Sequence, residues 1–196
     1  MEIPLFPLST ILFPYGRMPL QIFEPRYLDL VKDSLRNDRF FGVVLIVDGS
    51  NEVAATKTDV PSLSSLGTSA RIIDWDQLPN GLLGITIQGV ERLYIKDVWR
   101  QEDGLVFAKI NPQETDFHEP MQEKWTHLLE TLERLKEHPH LQRMNYNINV
   151  NNAWEVGFIL AQILPLNDAD KTELLSSDNI ENLMERLTDI LKKISG

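Results

Sequence analysis

Two aspartates flanking a tryptophan, Asp74-Trp75-Asp76, are the residues of this chain whose types and spacing come nearest to chemistry. In an extended segment alternate side chains share a face, so both carboxylates point the same way. That is the minimum for paired acid–base work or for holding a hard cation. The plainer reading is an acidic strand end, since Leu78-Pro79-Asn80-Gly81 follows with turn chemistry. The four histidines are His118, His127, His138 and His140. Only His138-Pro139-His140 is closely spaced, and it lacks the helical geometry of a two-histidine zinc motif and an evident third ligand. It reads as a solvated loop, and His127 as a helix boundary residue. No Gly-x-Ser-x-Gly elbow occurs, and "SLSSLG" has no strand and helix around it to build one. A phosphate-binding Gly-Lys-Ser/Thr loop and a Gly-x-Gly-x-x-Gly turn are absent from the sequence as well.

The opening "PLFPLSTILFPYGRMPLQIFEPRYL" carries a second polar group, Arg17, Arg26 and Tyr27, in an otherwise apolar run. Arginine grips carboxylates bidentately and tyrosine offers an apolar body with a polar tip, so this set could hold a peptide segment. The competing reading is internal, with Arg26 paired to an acid so as to pin a helix. Phe13, Tyr15 and Met18 border the same prolines and Gly16, where not every apolar residue can be core. They join Arg17, Arg26 and Tyr27 as protein- or peptide-binding candidates. No catalytic residue, metal ligand or cofactor is assigned.

Whole-chain properties narrow the classes. The 196 residues are 42% hydrophobic and 24% charged, which suits a globular chain of one large or two small domains. A formal charge of −10 repels phosphate and disfavours nucleic acid. The apolar run Phe40–Val47 falls far short of the roughly 20 residues a membrane helix needs. A start of Met1-Glu2 with Pro4 and Pro7 disfavours an export signal. Absence of cysteine excludes disulfides and suits a reducing compartment, so the expected location is cytoplasmic.

These residues need elements to position them. Proline has no backbone donor, so Pro4 and Pro7 predict an edge strand over Ile3–Leu8. Pro14-Tyr15-Gly16-Arg17 predicts a turn in which the glycine takes positive φ, and Met18–Phe23 a returning strand. Pro25 suits a first helical turn, and Leu28, Val31 and Leu35 form an apolar stripe on a helix to about Arg36. From Phe40 to Ile110 branched and aromatic residues between turn signals predict short strands of an antiparallel barrel. A long polar loop, Asp48–Gly67, interrupts them and could act as a flap. After Pro112 the period becomes helical, with Met121, Trp125, Leu128, Leu129, Leu132 and Leu135 on one stripe and Ile180, Leu183, Leu187, Ile190, Leu191 and Ile194 on another. Asn152 with Glu155 reads as a capping box opening "AWEVGFILAQIL", and a short helix is expected near Ala169–Leu175. The prediction is an α+β chain, with a β-barrel carrying one early helix at 1–115 and a helical bundle at 116–196.

"IPLFPLSTILFPYGRMPLQIFEPRYLDLV", "FGVVLI", "GTSARIIDWDQLPNGLLGITIQGVERLYI" and "LAQILPL" together resemble the Lon N-terminal, substrate-binding domain family, especially its stand-alone bacterial members. The resemblance covers nearly the whole chain. It implies a PUA-like barrel followed by helices and a role in recognising unfolded or tagged proteins. In full-length Lon proteases an ATPase domain and a protease domain with a Ser-Lys dyad follow. With the chain stopping at Gly196, both are expected to be missing, and the expected function is a non-catalytic protein- or peptide-binding module. The alternatives from other classes are a small enzyme with an acidic or metal site near Asp74 and Asp76, and RNA binding by analogy with the PUA-like fold.

Overall fold

The structure is a computed structural model and describes residues 1–47, 60–112 and 117–195. The strands are β1 (Glu2–Leu8), β2 (Arg17–Ile22), β3 (Phe41–Ile46), β4 (Leu63–Gln77), β5 (Leu83–Arg100) and β6 (Val106–Pro112), with helix α1 (Pro25–Asn37) between β2 and β3. A 3-10 turn (Glu123–Trp125) then leads into α2 (Thr126–Lys136), α3 (Pro139–Arg143), α4 (Ala153–Ile163), α5 (Asp168–Ser176) and α6 (Ile180–Ser195). Cα packing divides the chain into two compact units, Met1–Thr115 and Asp116–Gly196.

The first unit is a mixed sheet in the order β2-β5-β4-β3-β1-β6, in which β5 also pairs with β6, so the ladder returns onto itself. The expected all-antiparallel pairing is corrected at one place, because β1 runs parallel to β3. Nor is β1 an edge strand, since β6 pairs with its other side. Both prolines are accommodated by parity. Met1 and Ile110 exchange backbone hydrogen bonds, which turns the odd residues of β1 toward β6 and the even ones toward β3. The Pro7 nitrogen therefore faces the β6 side, beyond the end of that ladder at Leu5. The Pro4 nitrogen faces the β3 side, before that ladder begins at Leu5.

Both faces of β1 and β3 are covered, which is why "FFGVVLIV" shows no alternation. One face adds Phe6, Phe41 and Val43 to a cluster with Met18, Ile22, Tyr27, Leu30, Val31, Ile85 and Ile87. The other adds Ile3, Leu5 and Val44 to Leu93, Val106, Ala108 and Ile110. Helix α1 buries Tyr27, Leu30, Val31 and Ser34. That stripe lies one residue away from the predicted one, and Leu35 is left exposed.

The segment between β1 and β2 is buried without being strand. Thr68 donates its hydroxyl to the Leu12 carbonyl at 2.6 Å. Gly89 lets the chain come closer still, since a Cβ there would stand 2.1 Å from the Phe13 carbonyl oxygen. The Gly16 amide bonds Phe13 O at 3.0 Å to close the turn, and Tyr15 rather than Gly16 takes the positive φ, at 63°. Of the expected Asp48–Gly67 loop, 48–59 lies outside the described residues, while Leu63–Gly67 already belongs to β4.

In the second unit α4 packs against α2, α5 and α6 and is buried on nearly every side. Gly157 allows α6 a close approach, because a Cβ there would lie 2.8 Å from Leu183 Cδ2. Phe117, Trp154 and Phe158 form an aromatic cluster with centroids 5.0–5.3 Å apart. The buried Asn152 caps α4 by accepting from the Trp154 amide at 3.2 Å and donates to the Phe117 carbonyl at 2.8 Å. The capping box is incomplete: the Glu155 carboxylate accepts from Asn149 N, not from Asn152. The His138–His140 stretch, expected as loop, leads into a short helix over Pro139–Arg143.

Candidate functional site

Strand β2 ends the strand order, bonded to β5 along one side. Gly16 O accepts from Gly89 N at 2.9 Å, and this register turns the even residues of β2 toward β5. Arg17, Pro19 and Gln21 turn their backbone groups the other way, and Pro19 has no N–H to offer there. The proline blunts the edge against continuous strand addition. Docking beside β2 must therefore use side chains, and the surface is hollowed on either side of this strand.

One hollow, about 340 Å³, lies across β2, β5 and β4. The registers set out its rows: Pro19 stands opposite Thr86 and Thr86 opposite Asp74, while Gln21 stands opposite Gly84 and Gly84 opposite Asp76. A register shift between Ile72 and Asp74 inserts one residue into β4, and this brings both aspartates onto the face of Thr86. Each carboxylate accepts from the next backbone amide, Asp74 from Trp75 N at 2.9 Å and Asp76 from Gln77 N at 2.7 Å. Leu78 folds onto the sheet above Gly84, where a Cβ would stand 2.8 Å from Leu78 Cδ2. The Leu78–Gly81 turn holds this corner, with Gly81 N bonded to Leu78 O at 2.8 Å and Gly81 at φ 82°. Trp75, between the two aspartates and opposite Ile85, is 62% exposed. Among the described residues no three His, Cys, Asp or Glu side chains gather as a metal-ligand group.

The second hollow, about 230 Å³, shares Leu20 and Gln21 with the first and is lined by Phe6, Leu8, Ile22, Phe23, Tyr27 and Ile46 among others. Phe6 and Tyr27 stack in it with centroids 4.1 Å apart. Phe23 stands out at its rim, 67% exposed. Burial raises the Tyr27 phenol above its ordinary value near 10, with Arg26 opposing and Glu24 adding to the rise.

The six residues nominated from sequence do not form one exposed patch. Phe13 is wholly buried under the Gly89 crossing, and Met18 and Tyr27 point from β2 and α1 into the core. Their apolar surface is used internally, and Met18 is a strand residue rather than a loop residue. Arg26 has the internal role weighed against binding: it pairs with Glu24 at 2.6 Å, donates to the Gly104 carbonyl at 3.0 Å and lies 4.8 Å from the Tyr27 ring centre. It thereby ties the start of α1 to the turn between β5 and β6. Tyr15 and Arg17 are half-buried. Of the six, Tyr27 is the one among the lining residues of these two hollows. Sequence reasoning passed over Phe23 and Trp75. The available signal was local: Phe23 closes the apolar run just before Glu24 and the Pro25 helix start, where the strand ends at Ile22 instead, and Trp75 is an aromatic between two charges at a strand end. Of the His138–His140 pair, the His140 side chain lies outside what the structure describes.

The self-returning mixed sheet, the packed helices and the two hollows beside β2 define the class of fold. The chain belongs to the family of the ATP-dependent protease La (LON) substrate-binding domain, which matches residues 2–193. It is 24% identical over 196 residues to the Lon protease of Brevibacillus choshinensis, covering 97% of this chain and 24% of that one. With the Lon protease of Orientia tsutsugamushi identity is 28% over 199 residues, covering 97% and 25%. The chain thus spans about a quarter of the length of the curated relatives it matches. Among solved structures it is similar to a Lon N-terminal domain protein from Xanthomonas campestris, at 31% identity and a TM-score of 0.75, covering 96% of this chain and 98% of that one. The N-terminal domain of a Mycobacterium avium complex Lon protease shares the fold at 14% identity and a TM-score of 0.62, covering 96% and 97%. Among the described residues no helix is long and apolar enough to cross a membrane.

Proposed function

We propose that this chain is a non-catalytic, cytoplasmic module that binds unfolded protein segments through the two hollows beside β2. The first unit serves as a PUA-like barrel that presents them, and the helices after residue 116 form a separate supporting bundle. The observation that carries the reading is the exposure of Trp75 and Phe23, lining residues of two hollows that share Leu20 and Gln21. Large aromatics left in water beside concave apolar surface are the usual anchors of protein recognition. Tyr27 contributes to the wall of one hollow, while Phe13, Met18 and Arg26 hold the scaffold in shape.

The test is fluorescence anisotropy with a dye-labelled, reduced and carboxymethylated protein that stays unfolded, set against its folded parent. The unfolded form should bind and the folded one should not. A Phe23→Ser, Trp75→Ala double variant should weaken binding about tenfold or more, since two anchors at ~1–2 kcal/mol each are removed. Its melting temperature should stay within a few degrees of the parent's, because both side chains are exposed. Undiminished binding by that variant would overturn the reading.

A further inference from the structure

The hollow across β2, β5 and β4 has the charge and shape to select one kind of side chain, and we infer that it takes a basic residue, arginine above all, of an extended segment. The inference rests on the proposed function and names the class of segment that this hollow prefers.

Three observations converge. Asp74 and Asp76 stand on one face, opposite Thr86 and Gly84, so their charges fall on successive rows of the same concave surface. Their hydrogen bonds to Trp75 N and Gln77 N hold one oxygen of each carboxylate and orient the side chains. The apolar surface beside them comes from Pro19 and Leu78. A guanidinium suits this combination, because it meets a carboxylate with a planar fork of donors. Its methylene stem would lie along Pro19 and Leu78, as long basic side chains do on apolar ground. Charge complementarity decides among occupants. An acidic segment would place its carboxylate against two others in a chain of net charge −10, and a wholly apolar one would cover both aspartates without a partner for either. The second hollow has only Glu24 as a charged lining residue, next to the aromatic Phe6, Phe23 and Tyr27, and it takes an apolar neighbour of the same segment.

The test uses the full chain and two dye-labelled peptides of Gly, Ser, Leu and Phe, identical except for a central Arg or Gln. By anisotropy the Arg peptide should bind about fivefold tighter, the size expected for a cation next to two exposed carboxylates. The preference should shrink as salt rises from 20 to 300 mM. An Asp74→Asn, Asp76→Asn variant keeps the oxygens that accept from Trp75 N and Gln77 N, so it should fold like the parent; its Arg-to-Gln ratio should fall to within about twofold. Equal binding of the two peptides by the parent chain, or a preference that survives in the variant, would overturn the inference. Binding of the unfolded protein without binding of either peptide would overturn it and leave the proposed function standing. Failure of the unfolded protein itself to bind would remove both.

Discussion

Glycine 89 and glycine 81 are the same residue type under opposite constraints, and substituting each by alanine separates the two. At Gly89 a Cβ would stand 2.1 Å from a backbone oxygen of the buried Phe13 segment, and backbone cannot rotate away. Gly89→Ala should cost about 3 kcal/mol or more, read as a fall in the denaturant midpoint, because core overpacking of this severity forces the chain apart. At Gly81 nothing lies within 4 Å, but φ is +82°. Gly81→Ala should cost only about 1–2 kcal/mol, the left-handed penalty by itself. Equal losses at the two sites would contradict the crossing described for Phe13. Tyr27 gives a pH signature. Its phenol titrates higher when folded than the ordinary value near 10, so above that pH the unfolded chain releases the proton first and stability falls as pH rises toward the folded value. Denaturant midpoints measured from pH 9 to 12 should decline less steeply for Tyr27→Phe than for the parent. The sequence showed the polar outline of this residue and Arg26, but burial and the Phe6 stack depend on which face α1 turns inward.

Helix ends and strand edges are where local chemistry is most readable and where it misled most informatively. Asn152 is 4% exposed, and its amide satisfies both a helix amide and the Phe117 carbonyl. Asn152→Ala removes a cap and strands two polar groups, so a loss of about 2–3 kcal/mol is expected in chemical unfolding. Asn152→Asp, which keeps the cap oxygen and loses the donor, should recover part of it. Helix α1 ends at Asp38 with φ 49°, a left-handed residue without glycine's freedom. Asp38→Gly should therefore raise stability by about 0.5–1 kcal/mol. The Pro25 start, the α4 cap and the Pro-Asn-Gly turn were legible because a residue's own dihedral limits or side-chain oxygen decide them. The edge assignment of β1 failed for a different reason. A proline requires only that its missing donor face no partner, and staggered ladders on the two sides of β1 meet that requirement inside a sheet.

On the scale of the molecule, an acidic chain with −10 formal charge presents a surface that favours basic unfolded partners over acidic ones. Among unfolded proteins of matched length, a basic one should bind tighter than an acidic one at 20 mM salt, and the gap should narrow at 300 mM. A gap indifferent to salt would show that charge plays no part in selection. The same balance argues against nucleic acid as a partner, since counterion release needs Lys and Arg to meet phosphate.

The sequence alone determined the coarse order of elements, β first and α second, together with the Pro25 helix start, the Asn152 cap, the Pro-Asn-Gly turn and the family pattern, because each rests on periodicity or on the conformational limits of single residues. Tertiary structure alone decided that β1 joins β3 in parallel, that Phe13, Met18 and Tyr27 are spent on the core, and that Trp75 and Phe23 are left in water beside β2. Those outcomes depend on which strands meet and in what register, and pairing between residues as distant as Leu5 and Gly42 or Asp74 and Thr86 leaves no mark on the local pattern of either.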